Sequence, residues 1–271
     1  MPYRHAHWFV LALFPFIGLA FWPAYLSTFS AASVAFHVHG FTAMLWILWL
    51  AAQSWSIHNG RRDLHRSVGM ASLGLFPLFM GGAFLIERSM AWKYASGSDP
   101  FYEMWGPELG LLDITAAVVM PIFFMLGLKN RRKVHLHAGY LLATVIFLLS
   151  PIFGRLAAIP LGITGPDTFE RFGVAVQLGN GVALTASLLL WSWNRKHGAP
   201  WMLAATVTAA QMLLIETVGK WARWEHLFAS TGAIPEPVMF SAGLLVGATA
   251  AWIGWNSVPG RSPPIGAVPA R

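Results

Sequence analysis

Three His-x-His pairs, at His5 and His7, His37 and His39, and His135 and His137, concentrate the metal- and proton-handling side chains of this chain. An imidazole both donates and accepts hydrogen bonds and can bind a metal or heme iron. Successive residues of a helix rotate by about 100°, so His37 and His39 point about 200° apart and cannot hold one ion between them. At most one of the two faces the interior of a bundle, and Gly40 beside them permits close helix approach. His5 and His7 read as an ordinary exposed terminus.

His65 and His135 share a context. Arg61-Arg62-Asp63-Leu64-His65 followed by Gly69 recurs 70 residues on as Arg131-Arg132-Lys133-Val134-His135 followed by Gly139. The turn Asn194-Arg195-Lys196-His197 reads as a third, eroded copy, and the pattern suggests a duplicated helical hairpin. Two inward-facing histidines with glycine one turn on are what a bis-histidine heme b site requires, which makes His65 and His135 candidate cofactor ligands. The alternative is structural: each imidazole hydrogen-bonds the preceding basic turn while the glycine lets helices touch.

A second set is ionisable or amide: Glu87, Asp113, Arg155, Gln177, Asn180 and Glu216, with Lys220 four residues beyond Glu216. Such groups are costly inside a bilayer, so each is a candidate site residue. With His37 and His39 they fall toward one end of the helices defined below, the end opposite the basic turns. They outline an outward-opening cavity with Arg155 as its cation and Asp113 and Glu216 as its carboxylates, helix five being loosened by Pro151 and Gly154 just before Arg155. The alternative is that these residues snorkel to the interface and form packing salt bridges. A histidine with two carboxylates is also a metal-ligand set, but no His-x3-His pair puts two ligands on one helical face, so a metal site is not expected.

The elements that must position these groups are membrane helices. Hydrophobic residues make up 56% of the 271 and charged residues 11%, with 14 Trp and 19 Phe, too little polar surface to cover a water-soluble domain. Apolar runs long enough to span about 30 Å of hydrocarbon occur near 8–26, 34–57, 68–86, 109–128, 138–160, 172–193, 201–217 and 238–255. The fold class expected is thus all-α, a polytopic bundle of about eight helices forming one domain over 1–257. The tail 258–271, rich in Pro and Gly, is expected to be disordered. The first run lacks a small-x-small cleavage site and reads as a retained helix. Absence of cysteine removes disulfides, thiolate catalysis and iron–sulfur clusters.

Twelve of the 18 Lys and Arg lie in alternate turns or the termini, among them Arg61, Arg62, Arg131, Arg132, Lys133, Arg195 and Lys196. By the positive-inside rule both ends are cytoplasmic in a bacterial-type inner membrane, and the net charge of +7 reflects topology rather than nucleic-acid binding. The aromatic, acidic segments 88–108 and 220–237 would form a cap on the outer side.

At His39-Gly40, Gln53, Leu64 through Gly69 and His135 through Arg155, the chain resembles a loose group of bacterial multi-pass membrane proteins known only as a domain of unknown function. In that group a His-Arg-x-x-Gly turn opens one helix and a second histidine opens another that ends in arginine; here Ala138-Gly139 follow His137 where bulkier residues are expected. The resemblance implies a bundle and no particular reaction. Three functions fit the sequence. One is binding of a quinone-like or anionic ligand, or heme b, with Asp113 and Glu216 relaying protons. The second is transport through the same cavity, against which the apolar inner halves argue. The third is a structural or assembly subunit with a membrane-protein partner. No hydrolase triad or phosphate loop supports a sharper enzyme assignment.

Overall fold

A computed structural model describes residues 2–258 of the chain. It is an all-helical bundle with seven helices long and apolar enough to cross a membrane, preceded by a shorter one. In chain order these are α1 (Ala6–Phe21, with a kink at Ala12), α2 (Val34–His58), α3 (Arg62–Ser96), α4 (Pro100–Lys129), α5 (Val134–Ala158), α6 (Phe172–Trp193), α7 (Ala199–Glu216), a short α8 (Ala222–Thr231) and α9 (Glu236–Asn256). The chain is a multi-pass membrane protein of about eight helices. Apart from Val258, the Pro- and Gly-rich tail lies outside the described residues.

Both ends of the described residues meet the basic turns at one end of the bundle. The Trp201 indole donates to the Tyr3 hydroxyl at 2.9 Å, and Arg131 donates to the carbonyls of Trp255 at 2.8 Å and Val258 at 2.9 Å. Arg131 also stacks on the Trp255 ring, its guanidinium carbon 4.7 Å from the centroid. We refer to this as the basic end.

At the opposite end the helices run past the hydrocarbon-length segments expected from hydropathy. Helix α3 has 35 residues, about 52 Å at 1.5 Å per residue, and turns into α4 through only three residues. Gly97 supplies the left-handed conformation (φ +62°) that ends α3, and the Asp99 carboxylate accepts from the Phe101 amide to start α4. A Lys93–Asp99 ion pair at 3.0 Å closes the turn. The segment 88–108 is therefore mostly helix, and α8 leans on it. The Trp224 indole donates to the Pro107 carbonyl at 2.7 Å, and Phe228 occupies the space left by Gly106 and Gly110.

Small residues set the helix spacing, as expected where lipid offers no hydrophobic drive for association. Gly243 and Gly247 bring α9 onto α3, where a Cβ on Gly247 would lie 2.6 Å from the Pro77 Cα. Gly179 and Gly154 do the same for α6 and α5.

At mid-height the core is aromatic. Trp46, Phe76, Phe79 and Phe124 are at most 2% exposed, with Phe76 and Phe124 stacked at 4.1 Å and Trp46 edge-on to Phe124 at 5.6 Å. The Trp46 indole N–H donates to the Thr144 hydroxyl at 3.0 Å, which in turn donates to the Leu141 carbonyl at 2.7 Å. Thr144 sits where α5 tightens into a turn of i to i+3 hydrogen bonds, Thr144 to Leu141 and Val145 to Leu142. Thr144→Val keeps the shape and strands the indole donor, so it should cost about 1–3 kcal/mol. Adding Trp46→Phe to it should recover part of that loss. Thermal unfolding of the detergent-solubilised variants checks this, and an unchanged midpoint for Thr144→Val would show that the bond carries no weight.

Candidate functional site

Above the aromatic layer, away from the basic end, lies a cavity of about 690 Å3 lined by residues of α1 to α7 and of the segment joining α1 to α2. Four of the sequence-derived residues line it: His37, His39, Asp113 and Arg155. The walls are otherwise largely apolar and aromatic, with Phe14, Ile17, Phe21, Met44 and Phe147 among them.

The two neighbouring histidines do different things. His39 faces the bundle, its ring 6.1 Å from that of Phe79, with its Nδ1 buried and without a hydrogen-bond partner. The close approach behind it is set by Gly82, where a Cβ would lie 3.0 Å from the His39 Cα. His37 instead engages the α1–α2 connection: its Nδ1 and the Tyr25 hydroxyl share a hydrogen bond of 2.8 Å, and its ring lies 4.4 Å from that of Phe29. Tyr25, Leu26 and Phe29 of that connection line the cavity, and His37 lines it with them.

Arg155 donates through one guanidinium nitrogen to the Pro151 carbonyl at 3.1 Å and lies 4.4 Å above the Phe21 ring. The remaining N–H groups of its planar fork suit a paired acceptor such as a carboxylate or a quinone oxygen. Asp113, thirteen residues into α4, also lines the cavity and makes no ion pair within 4.0 Å among the described residues. Glu87 lies behind this wall, 5% exposed, and neither carboxyl oxygen has a partner. It is set among Gly110, Phe228 and the other side chains beneath α8.

The remaining candidates do not join the cavity. Glu216 ends α7, and its half-exposed carboxylate accepts from Lys220 at 2.7 Å and from Gln177 at 3.1 Å, a surface cluster rather than an interior one. The chain leaves the helix at Thr217, directly after Glu216. Asn180 is fully buried with both amide atoms unpartnered, but it does not line the cavity. Polar residues not singled out from the sequence also line it, among them Tyr25, Tyr102, Ser150 and Gln211. Gln211 donates to the Thr115 hydroxyl at 2.6 Å and the Leu112 carbonyl at 3.1 Å, and a lone amide in the middle of an apolar helix was the available signal.

A second cavity, of about 560 Å3, opens below the aromatic layer at the basic end. Its lining includes Gln53, His58, His65, Arg66 and His137, so this half of the bundle is less apolar than its hydropathy suggests. His135 is not part of it. That ring stacks on His197 at 4.3 Å and 16°, with its Nδ1 buried and unpartnered. The histidine that shares a cavity with His65 is His137. Counted from the first residue of each helix, His65 in α3 and His137 in α5 are both the fourth. The turns before them match too, since Asn59 and Asn130 both end their helices at φ −94° and each donates to the carbonyl four residues back at 2.8 Å. Asn194, in the third basic turn, has a different conformation (φ −147°).

The fold and its cavities define a polytopic helical membrane protein with buried polar groups at two depths. No protein-family model, characterised protein or solved structure matches the chain.

Glu87 supplies a test of how far function overrides stability here. Replacing an unpartnered buried carboxyl by an apolar side chain of similar volume, Glu87→Met, should stabilise the bundle by about 1–3 kcal/mol. A lower thermal midpoint for this variant in detergent would mean that Glu87 has a stabilising partner.

Proposed function

We propose that the protein binds a small amphiphile in the cavity above the aromatic layer, with a quinone-like or anionic head group held by Arg155 and His39 and an apolar tail among Phe14, Ile17 and Met44. The observation that carries this reading is a guanidinium with unfilled donors on the wall of an otherwise largely apolar cavity of about 690 Å3. Sites for small ligands are typically about 300–1,000 Å3, mostly apolar, with few convergent polar groups. Asp113 on the cavity wall, with Glu87 behind it, would relay protons to the head group.

Transport through the same cavity is less well supported. It needs a second access route, and the space toward the basic end is filled by Trp46, Phe76, Phe79 and Phe124.

Titration of the purified protein with a short-tailed benzoquinone, and separately with a medium-chain carboxylate, tests the reading through quenching of tryptophan fluorescence or calorimetry. Hydrogen bonds to a charged group contribute about 1.5–3 kcal/mol, so Arg155→Ala should weaken binding of one probe by roughly 10- to 150-fold. Arg155→Lys, which keeps the charge but not the fork, should fall between. Wild-type affinity in both Arg155→Ala and Asp113→Asn, each well folded, would refute it.

A further inference from the structure

The second cavity presents two imidazoles whose tautomers are fixed by the backbone. The His65 Nδ1 lies 3.2 Å from the Gln53 carbonyl oxygen, and the His137 Nδ1 lies 2.8 Å from that of Gly127. A carbonyl can only accept, so in each neutral ring the proton resides on Nδ1 and Nε2 carries a lone pair. Neither Nε2 has a hydrogen-bond partner among the described residues, neither is sealed in the protein interior, and both residues line the one cavity. The clamp on His65 is reciprocal, since the Gln53 side-chain amide donates to the His65 carbonyl at 3.2 Å. Each histidine is thereby oriented by the helix that precedes its own, the backing that metal-ligating imidazoles usually have.

What such a site accepts follows from its donors. Two unprotonated nitrogens cannot bind a quinone carbonyl, which needs a hydrogen donor. They also cannot satisfy a bare metal ion, because two ligands leave the coordination shell of zinc or iron half empty, and no group of three His, Cys, Asp or Glu with metal-ligand placement occurs among the described residues. A metal that brings its own equatorial ligands needs only two axial nitrogens and a large apolar slot. The cavity is about 560 Å3, walled by Trp49, Leu50, Leu141 and Trp255, with Arg66 as a cation for a carboxylate side arm.

We propose that this cavity binds a heme of the b type through His65 and His137 as axial ligands. The site lies between α3 and α5, and His135, stacked on His197, takes no part in it. The inference is independent of the ligand proposed for the cavity above the aromatic layer.

The test is the absorption spectrum of the full chain, produced with heme precursor and purified in mild detergent, oxidised and then reduced with dithionite, with the heme counted as its pyridine complex. Expected are a Soret band, sharp α and β bands on reduction and about one heme per chain. His65→Ala and His137→Ala should each lose that low-spin spectrum, whereas His135→Ala and Arg155→Ala should keep it. Because an alanine variant can fail by misfolding, His137→Gly is included, in which millimolar imidazole should restore the low-spin bands. A featureless spectrum from folded wild-type protein with heme supplied overturns the proposal, as does a low-spin spectrum that survives both His65→Ala and His137→Ala. A heme-free protein that binds a short-tailed hydroquinone, and loses it in His65→Ala, would also overturn it by showing that the Nε2 atoms serve an O–H donor.

Discussion

An indole N–H at the centre of a membrane bundle has no water to turn to, and the placement of Trp46 therefore constrains everything around it. Its ring is fully buried against Phe76, Phe79 and Phe124, and its one polar atom must find an acceptor at that depth. The acceptor is the Thr144 hydroxyl, available there because α5 tightens at Thr144 and Val145. The irregularity in α5 and the aromatic layer are thus one feature. The bond ties α2 to α5 across 98 residues of chain.

This layer divides the bundle into two polar compartments. In α2, His39 and Gln53 are fourteen residues apart, about 21 Å along the axis, and Trp46 stands midway between them. Polar groups collect above the layer around Arg155 and Asp113 and below it around His65 and His137. The separation suits a protein that holds molecules at fixed depths better than one that passes them through. Should both cavities be filled as proposed, an apolar, stacked aromatic layer would lie between a redox-active head group and a heme.

Much of the fold was legible because hydropathy reports burial in hydrocarbon directly. The helices, and the gathering of the basic turns at one end, follow from where apolar runs and basic residues fall along the chain. Helix ends were not legible at Ser96 and Pro100, since hydropathy marks where the chain leaves the apolar slab and not where hydrogen bonding stops; Gly97 and Asp99 do that locally. Of the candidate site residues, Arg155 and Asp113 share a cavity wall, while Glu216 is drawn outward by Lys220, its neighbour four residues on. The Arg-Arg alignment paired His65 with His135, but α3 begins at the second arginine of its pair, Arg62, whereas α5 begins two residues after Arg132. Helical register thus pairs His65 with His137. A sequence match cannot reveal that shift without knowing where each helix begins.

The central claim is that the aromatic layer seals two separate cavities, and the absence of native cysteine makes it directly testable. Single cysteines at Met44, above the layer, and at Ser54, below it, can be reacted with a membrane-impermeant maleimide from either face of oriented membranes. The account predicts that Met44→Cys reacts from one face only and Ser54→Cys from the opposite face only. Labelling of either position from both faces would contradict a sealed bundle and favour a continuous path across the membrane.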